Sequence, residues 1–283
     1  MEPPEQARRL RAERLAPEIG FVRPSHTLAV SLTGIRCALD CAHCGGHYLQ
    51  GMASIGQADP VGKTSCLISG GCDQHGRVPV WSHVERVAEL RRGRLLNWHV
   101  GMIDEEHMQA IAPLVDVISF DFLVDIETIR EVYGLNYSAD DYLREYDMLR
   151  RYARVVPHLT LGLHGGHFRG EYRALESLKA SGLEALVVLV FIPTAGTRYA
   201  RCLPPPLDEV AAFMTTARSV LPETPVYLGC MRPAGRYRRD LDPLAVRAGL
   251  DKIVNPSGSA VAMATQLGLQ VRWENECCVI QRP

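Results

Sequence analysis

Apolar residues recur along this chain in two alternating rhythms. Short runs rich in Val, Ile and Leu, bounded by Gly, Pro or Asn, predict strands; the stretches between them carry apolar positions at helical spacing. "HTLAVSL" (His26–Leu32) is the first such run and leads into a loop. "SCLISGG" (Ser65–Gly71) is the second, with a helix inside "VPVWSHVERVAELRRGR". "LLNWHVGMI" is followed by a helix over Glu105–Ile111, and "VDVISFDFL" (Val115–Leu123) by the amphipathic "ADDYLREYDMLRRY" (Ala139–Tyr152), whose acidic start suits the helix dipole. "VVPHLTLGLHGG", "EALVVLVFIPT", "PVYLGCMRP" and "LDKIVNPSG" continue the series. Their helices are "EYRALESLKASG", "LDEVAAFMTTARSVL", one near "DPLAVRAG", and "SAVAMATQLG". A short "LQVRWE" and the tail "NECCVI" follow.

Strands that alternate with helices imply a parallel sheet. Eight such repeats in 283 residues predict an α/β fold, a single closed (β/α)8 TIM-type barrel. An open doubly wound sheet is the alternative. No Pro/Ser-rich linker divides the chain, and "CLPPPLDE" (Cys202–Glu209) reads as a loop and helix start. Residues 1–20 are expected to form an N-terminal helical extension, and 21–283 the barrel domain with its C-terminal Cys-Cys tail.

A formal net charge of −1 argues against a nucleic-acid partner held by charge. The longest apolar run, "ALVVLVFI" (Ala185–Ile192), is too short to span a bilayer. The charged opening "MEPPEQARRLRAERLAPEIG" has no apolar signal-peptide core, so a cytoplasmic protein with no membrane partner is expected. Nine scattered cysteines do not form the framework of a small secreted scaffold; in a reducing compartment they stay free or bind metal.

Three of them, Cys37, Cys41 and Cys44, crowd one loop in "SLTGIRCALDCAHCGGHYLQGM". A structural zinc site wants four ligands and a disulfide two. A C-x₃-C-x₂-C loop after the first barrel strand can give one thiolate to each of three irons of a [4Fe–4S] cluster, which leaves the fourth iron open to a substrate or cofactor. Completion by a distant fourth ligand, as in a zinc or redox-carrier site, is the competing reading.

The loop resembles that of the radical S-adenosylmethionine (SAM) enzymes, although His43 stands before the last cysteine where that family usually has an aromatic residue. The resemblance implies that Cys37, Cys41 and Cys44 hold the catalytic cluster and that SAM binds its open iron. It further implies that Ser69, Gly70 and Gly71 meet the SAM amino group and Asp121 its ribose, with the "FIPTAGT" turn (Pro193, Gly196) beside adenine. Cys72 replaces the acid that ends the family's glycine motif.

"VYGLNYSADDYLREYDMLRRY" and "GLHGGHFRGE" extend a resemblance to biotin synthase over most of the chain, but the predicted third and fifth strands lack that enzyme's second-cluster cysteines. With "LGCMRP" and a terminal "ECC", the chain most resembles the shorter partner of the two-protein lipoyl synthases. That likeness implies a sulfur-inserting transferase acting on an octanoylated carrier protein, with a second radical SAM protein and a low-potential electron donor. It also implies a second, auxiliary cluster, held from Cys72, Cys230, Cys277 and Cys278 with Cys66 in reserve and the tail folded as a lid over the catalytic rim. His164, with His167, is expected to touch substrate or the SAM carboxylate, or else to cap a turn. Arg232 could hold a carboxylate or pair with an acid on the rim. The "RPAGRYRRD" stretch reads as a solvated face or a dock for an acidic carrier. A radical SAM methyltransferase or carbon-skeleton rearrangement enzyme, and a non-catalytic iron–sulfur scaffold, are the competing functions.

Overall fold

The computed structural model describes residues 17–281. Eleven strands form one sheet, every neighbouring pair parallel: β1 (Glu18–Val22), β2 (Thr27–Ser31), β3 (Ala53–Ser54), β4 (Ser65–Ser69), β5 (Leu95–Trp98), β6 (Val117–Asp121), β7 (Arg154–Leu161), β8 (Leu186–Val190), β9 (Val226–Leu228), β10 (Lys252–Val254) and β11 (Gln270–Glu274). Their order is β11-β1-β10-β9-β8-β7-β6-β5-β4-β2-β3. Among the helices are α1 (Val84–Arg91), α2 (Glu105–Ile111), α3 (Ile126–Thr128), α4 (Ala139–Leu149), α5 (Glu171–Ser181), α6 (Leu207–Val220), α7 (Arg236–Arg247) and α8 (Gly258–Gln266).

The eight repeated strands expected from the pattern are β2 and β4–β10, and the fold is a TIM-type parallel barrel. It differs at the closure. The edge of β10 that would meet β2 in a closed barrel is taken by β1, with Phe21 opposite Ile253, and β11 pairs with the far side of β1. Among the described residues no strand ladder joins β2 to β10, so the barrel keeps a seam. The extension expected over residues 1–20 lies mostly outside the described residues, and its last three belong to strand β1 rather than to a helix.

Alternation along each strand decides what faces the barrel's inside. Asn97 and His99 from β5 and its end, Ser119 and Asp121 from β6, His158 and Thr160 from β7, and Val187 and Leu189 from β8 line one interior cavity. The intervening residues pack outward under the helices: Leu96, Trp98, Ile118, Phe120, Leu159, Leu161, Val188 and Val190 belong to one large buried cluster. α4 shows how locally determined the outer layer is: Ser138 and Asp141 form a reciprocal capping box, while Tyr142, Tyr146 and Leu149 are buried. Among the described residues, no helix is long and apolar enough to cross a membrane.

The C-terminal tail does not fold over the catalytic rim. It crosses the opposite end, where the strands begin. The Cys277 N–H donates to Thr27 Oγ1 at 2.7 Å, Arg154 to the Val279 carbonyl at 2.8 Å, and His26 N–H to the Asn275 carbonyl at 2.8 Å. Cys278, Val279 and Ile280 are buried against Val22, Val117, Val156, Val187, Tyr227 and Val254. The physical reason is the apolar "CCVI" run, which finds its burial against the apolar side chains at the strand entrance. Val279→Ala should therefore destabilise the fold by roughly 2 kcal/mol, the loss of two buried methyl-sized groups plus part of a cavity. Urea unfolding with an unchanged midpoint would show that the tail is not packed as described.

Candidate functional site

The cysteine loop leaves β2 at the C-terminal end of the strands, which is the working face of a parallel barrel. It is knitted to the end of β4 next door. The Gly71 N–H donates to Thr33 Oγ1 at 2.7 Å, the Ala38 N–H to the Cys72 carbonyl at 2.8 Å, and the Cys72 N–H lies 3.3 Å from Cys37 Sγ. Gly71 explains its own identity: a Cβ there would stand 2.0 Å from the Arg36 carbonyl oxygen and 2.6 Å from Cys37 Cα. A Cβ on Gly70 would meet Thr33 and the Leu32 N–H at 3.3–3.4 Å. The glycine pair expected to admit a ligand thus serves first to admit the cysteine loop itself.

Cys37, Cys41, Cys44, Ser69, Gly70, Gly71, Cys72 and Asp121 all line one cavity of about 270 Å³. Burial, and then the neighbouring thiols Cys44, Cys37 and Cys72, raise Cys41 far above the ordinary thiol range. Burial and Cys37 push Cys72 up to about 12. Thiolates gathered here are costly without a cation to offset them. Burial also raises Asp121, and it lowers His43 to about 4, so this imidazole is neutral. His43 packs edge-on against Tyr133 with ring centroids 5.6 Å apart, while its buried Nδ1 has no protein partner among the described residues.

These residues fit a [4Fe–4S] cluster. Among the described residues no three His, Cys, Asp or Glu side chains converge as they would on a single metal ion. A cluster asks for something else, because each thiolate takes its own iron and the sulfurs surround a body rather than a point. Three free thiols on the wall of one cavity, with a buried imidazole nitrogen still unpartnered, meet that requirement. The cluster would be held by Cys37, Cys41 and Cys44.

A second lobe of about 300 Å³ shares His43, Ser69, His99, Asp121 and Tyr133 with the first. Cys230, Cys277 and Cys278 line it, with Cys230 near the rim and the tail pair at the floor. The side-chain N–H of Asn97 reaches Cys277 Sγ at 3.6 Å, and a hydrogen bond from the Cys278 thiol lowers Cys277 and raises Cys278. Cys72 is not with them. It lines the cysteine-loop lobe, because its backbone is tied to Cys37 and Ala38. Cys66 is fully buried in the outer core and lines neither lobe.

Other expected residues have partners of their own. His164 accepts from or donates to Thr128 Oγ1 at 3.3 Å and approaches Glu131 at 3.5 Å, and it lines neither lobe. Arg232 is fully buried and grips Asp242 at 2.7 and 3.0 Å, and it also donates to the Gly229 carbonyl at 2.7 Å. It is thus occupied by an acid of this chain. "RPAGRYRRD" is largely the first turns of α7. The turn holding Pro193 and Gly196 leans on the cysteine loop through Tyr48 and Thr194 (3.2 Å) and the Tyr199 N–H to Ala42 carbonyl bond (2.9 Å), without lining either lobe. Sequence reasoning missed His99 and His158, whose rings lie 5.5 Å apart. Burial lowers both, His158 to about 3, and the His158 Nδ1–H donates to the Val156 carbonyl at 3.0 Å, which leaves Nε2 as an acceptor. Their inward strand positions were the signal.

No family model and no curated protein matches the chain. Solved structures do, at the level of fold. Methylornithine synthase (PylB) superposes with a TM-score of 0.65 at 13% identity, over 95% of this chain and 88% of its own. The FeFe-hydrogenase maturase HydG from Carboxydothermus hydrogenoformans also gives 0.65, at 14% identity, over 99% of this chain and 67% of its own. SuiB of Streptococcus suis, solved bound to S-adenosylmethionine, gives 0.52 at 11% identity, over 86% of this chain and 59% of its own.

The glycine geometry sets a test. Gly71→Ala should prevent the cysteine loop from seating, and iron incorporation on anaerobic reconstitution should fall at least about tenfold, because backbone cannot yield to a 2.0 Å contact. Gly56→Ala, with open space around it, is the control and should load normally. Normal iron uptake by Gly71→Ala would mean that the loop does not depend on this contact.

Proposed function

We propose that the chain is a radical SAM enzyme that inserts sulfur into an unactivated C–H bond. The observation that carries the first half is the meeting of Cys37, Cys41 and Cys44 with Ser69-Gly70-Gly71 and Asp121 around one cavity on the catalytic face. When bound, the cluster supplies the electron that cleaves SAM to a radical able to take hydrogen from carbon. The chain's own residues bind, orient and enclose. Ser69, the Gly70-Gly71 backbone and Asp121 offer polar groups to the cofactor, the Thr194 turn braces the loop, and the tail seals the far end against water.

Three further thiols on the adjoining lobe, Cys230, Cys277 and Cys278, support the sulfur-inserting half and would be the ligands of an auxiliary cluster. Among the described residues no Lys or Arg lines either lobe, which suits an uncharged acyl chain such as a carrier-bound octanoyl group better than a free carboxylate. Exposed Ile35 and Leu203 lie on loops at the catalytic face, where the carrier and a second radical SAM protein would dock. A one-cluster radical SAM methyltransferase or carbon-skeleton rearrangement enzyme is the second reading; the fold it shares with methylornithine synthase over 95% of this chain accommodates that reading as well.

Replacing Cys37, Cys41 and Cys44 together with Ala should abolish 5′-deoxyadenosine formation under dithionite while the circular dichroism of the barrel is retained. Unimpaired SAM cleavage by that variant would overturn the radical SAM assignment. In the same variant, iron and sulfide should remain at one cluster per chain and disappear when Cys230 and Cys277 are also replaced. Iron absent already from the loop variant would favour the one-cluster reading.

A further inference from the structure

The thiol of Cys72 has no role in the reaction just described, and its placement asks for one. It follows Gly70-Gly71 at the end of β4, in the cavity lined by the three loop cysteines. Its backbone is fixed from both sides: the carbonyl accepts from the Ala38 N–H at 2.8 Å, and the N–H lies 3.3 Å from Cys37 Sγ. Gly71 cannot retreat from the Arg36 carbonyl, so the separation of Cys72 from the loop is set by close-packed backbone. Its side chain is only partly buried, and it forms no disulfide. Four free thiols thus surround one cavity, three from a single loop and one from the neighbouring strand.

We infer that Cys72 is a fourth thiolate for the cluster of the cysteine loop, occupying its remaining corner in the resting protein. The inference rests on the radical SAM reading and concerns only the state before cofactor binds. A loop that supplies three sulfurs leaves one iron without a protein ligand, and the one further thiol on the same wall is that of Cys72. Cofactor binding is then a ligand exchange. The iron–sulfur bond to Cys72 would break, the freed thiolate would take up the proton that the SAM ammonium group gives up, and the resulting amine with the carboxylate of SAM would take the vacated position, with no change of oxidation state. The consequence is protection: an open iron is the one lost first on oxidation, and a thiolate on it keeps the cluster whole until SAM arrives.

The test uses the anaerobically reconstituted full-length protein without SAM, and first measures iron and sulfide to establish that the loop holds a cluster. Absence of that cluster would refute the radical SAM reading itself. Mössbauer spectra of the wild type, after subtraction of any signal left in the triple loop variant, should show four sulfur-ligated irons of one kind. Cys72→Ala should show one distinct iron. Ferricyanide should convert Cys72→Ala to the three-iron form, read by electron paramagnetic resonance, at least about tenfold faster than the wild type. A wild-type spectrum with one distinct iron, or equal conversion rates, would overturn the role of Cys72 while leaving the radical SAM reading in place. Should Cys72→Ala fail to fold, the wild-type spectrum alone decides.

Discussion

The close approach of the β4 end to the cysteine loop is the contact on which the site depends. A carbonyl oxygen and a Cα lie where the side chain of residue 71 would be, so the chain requires glycine there whatever ligand is bound. Hydrogen bonds on either side of that contact then fix Thr33, Ala38, Cys37 and Cys72 relative to one another. A loop is the normal place for reactive groups, but a free loop cannot present thiols at reproducible positions. Here the rigid neighbouring strand end supplies the reference, and the Thr194 turn after β8 supplies a second brace from across the barrel mouth. Precision at the site is therefore inherited from the sheet.

Electrostatics follows from the same enclosure. Among the described residues the lobes contain one carboxylate, Asp121, several thiols and three imidazoles that burial keeps neutral, and no Lys or Arg. Burial, and then the neighbouring thiols, hold Cys41 and Cys72 protonated in such a cavity. Positive charge has to be brought in, and an iron–sulfur body is one that thiolates recognise. The one buried arginine near the mouth, Arg232, does not alter this balance, because Asp242 neutralises it in a fully buried bidentate pair. That pair ties the loop after β9 to α7 and the Asn255 carbonyl, so its role is to hold Cys230 at the cavity edge.

The sequence made the repeats legible because the strands of a covered parallel sheet are short apolar runs and the longer helices carry apolar positions at helical spacing, with Ser138 and Ser257 capping α4 and α8. β1 escaped because Glu18–Val22 is brief and follows a charged stretch, and its strand partners, β10 and β11, are far away in sequence. The cysteine loop was readable from spacing alone. The tail was not: "NECCVI" announces burial, but nothing local says which end of the barrel it enters, and the hydrogen bonds that decide it come from Thr27 and Arg154. His99 and His158 were passed over for a similar reason. A lone histidine in a strand declares its face only once the register is known, and the register pairs β6 with β7 so that Asp121 stands opposite His158.

The seam links these features. A closed barrel has no opening in its wall, and its floor is filled by its own side chains. When β1 takes the place of β2 beside β10, the wall opens between the sheet edges, β11 on one side and β3 with the start of β2 on the other, and the apolar side chains at the strand entrance need a cover. The tail answers both needs, because it hydrogen-bonds to the start of β2 across the seam and places Cys278, Val279 and Ile280 in the entrance. A plug made of the last residues of a chain brings its side chains into the cavity as well, and here those side chains are thiols. An aliphatic tail would close the barrel equally well, so the cysteines are not required by the packing. Their position opposite Cys230, on the wall of a lobe continuous with the cysteine-loop cavity, is what the packing gives to the chemistry.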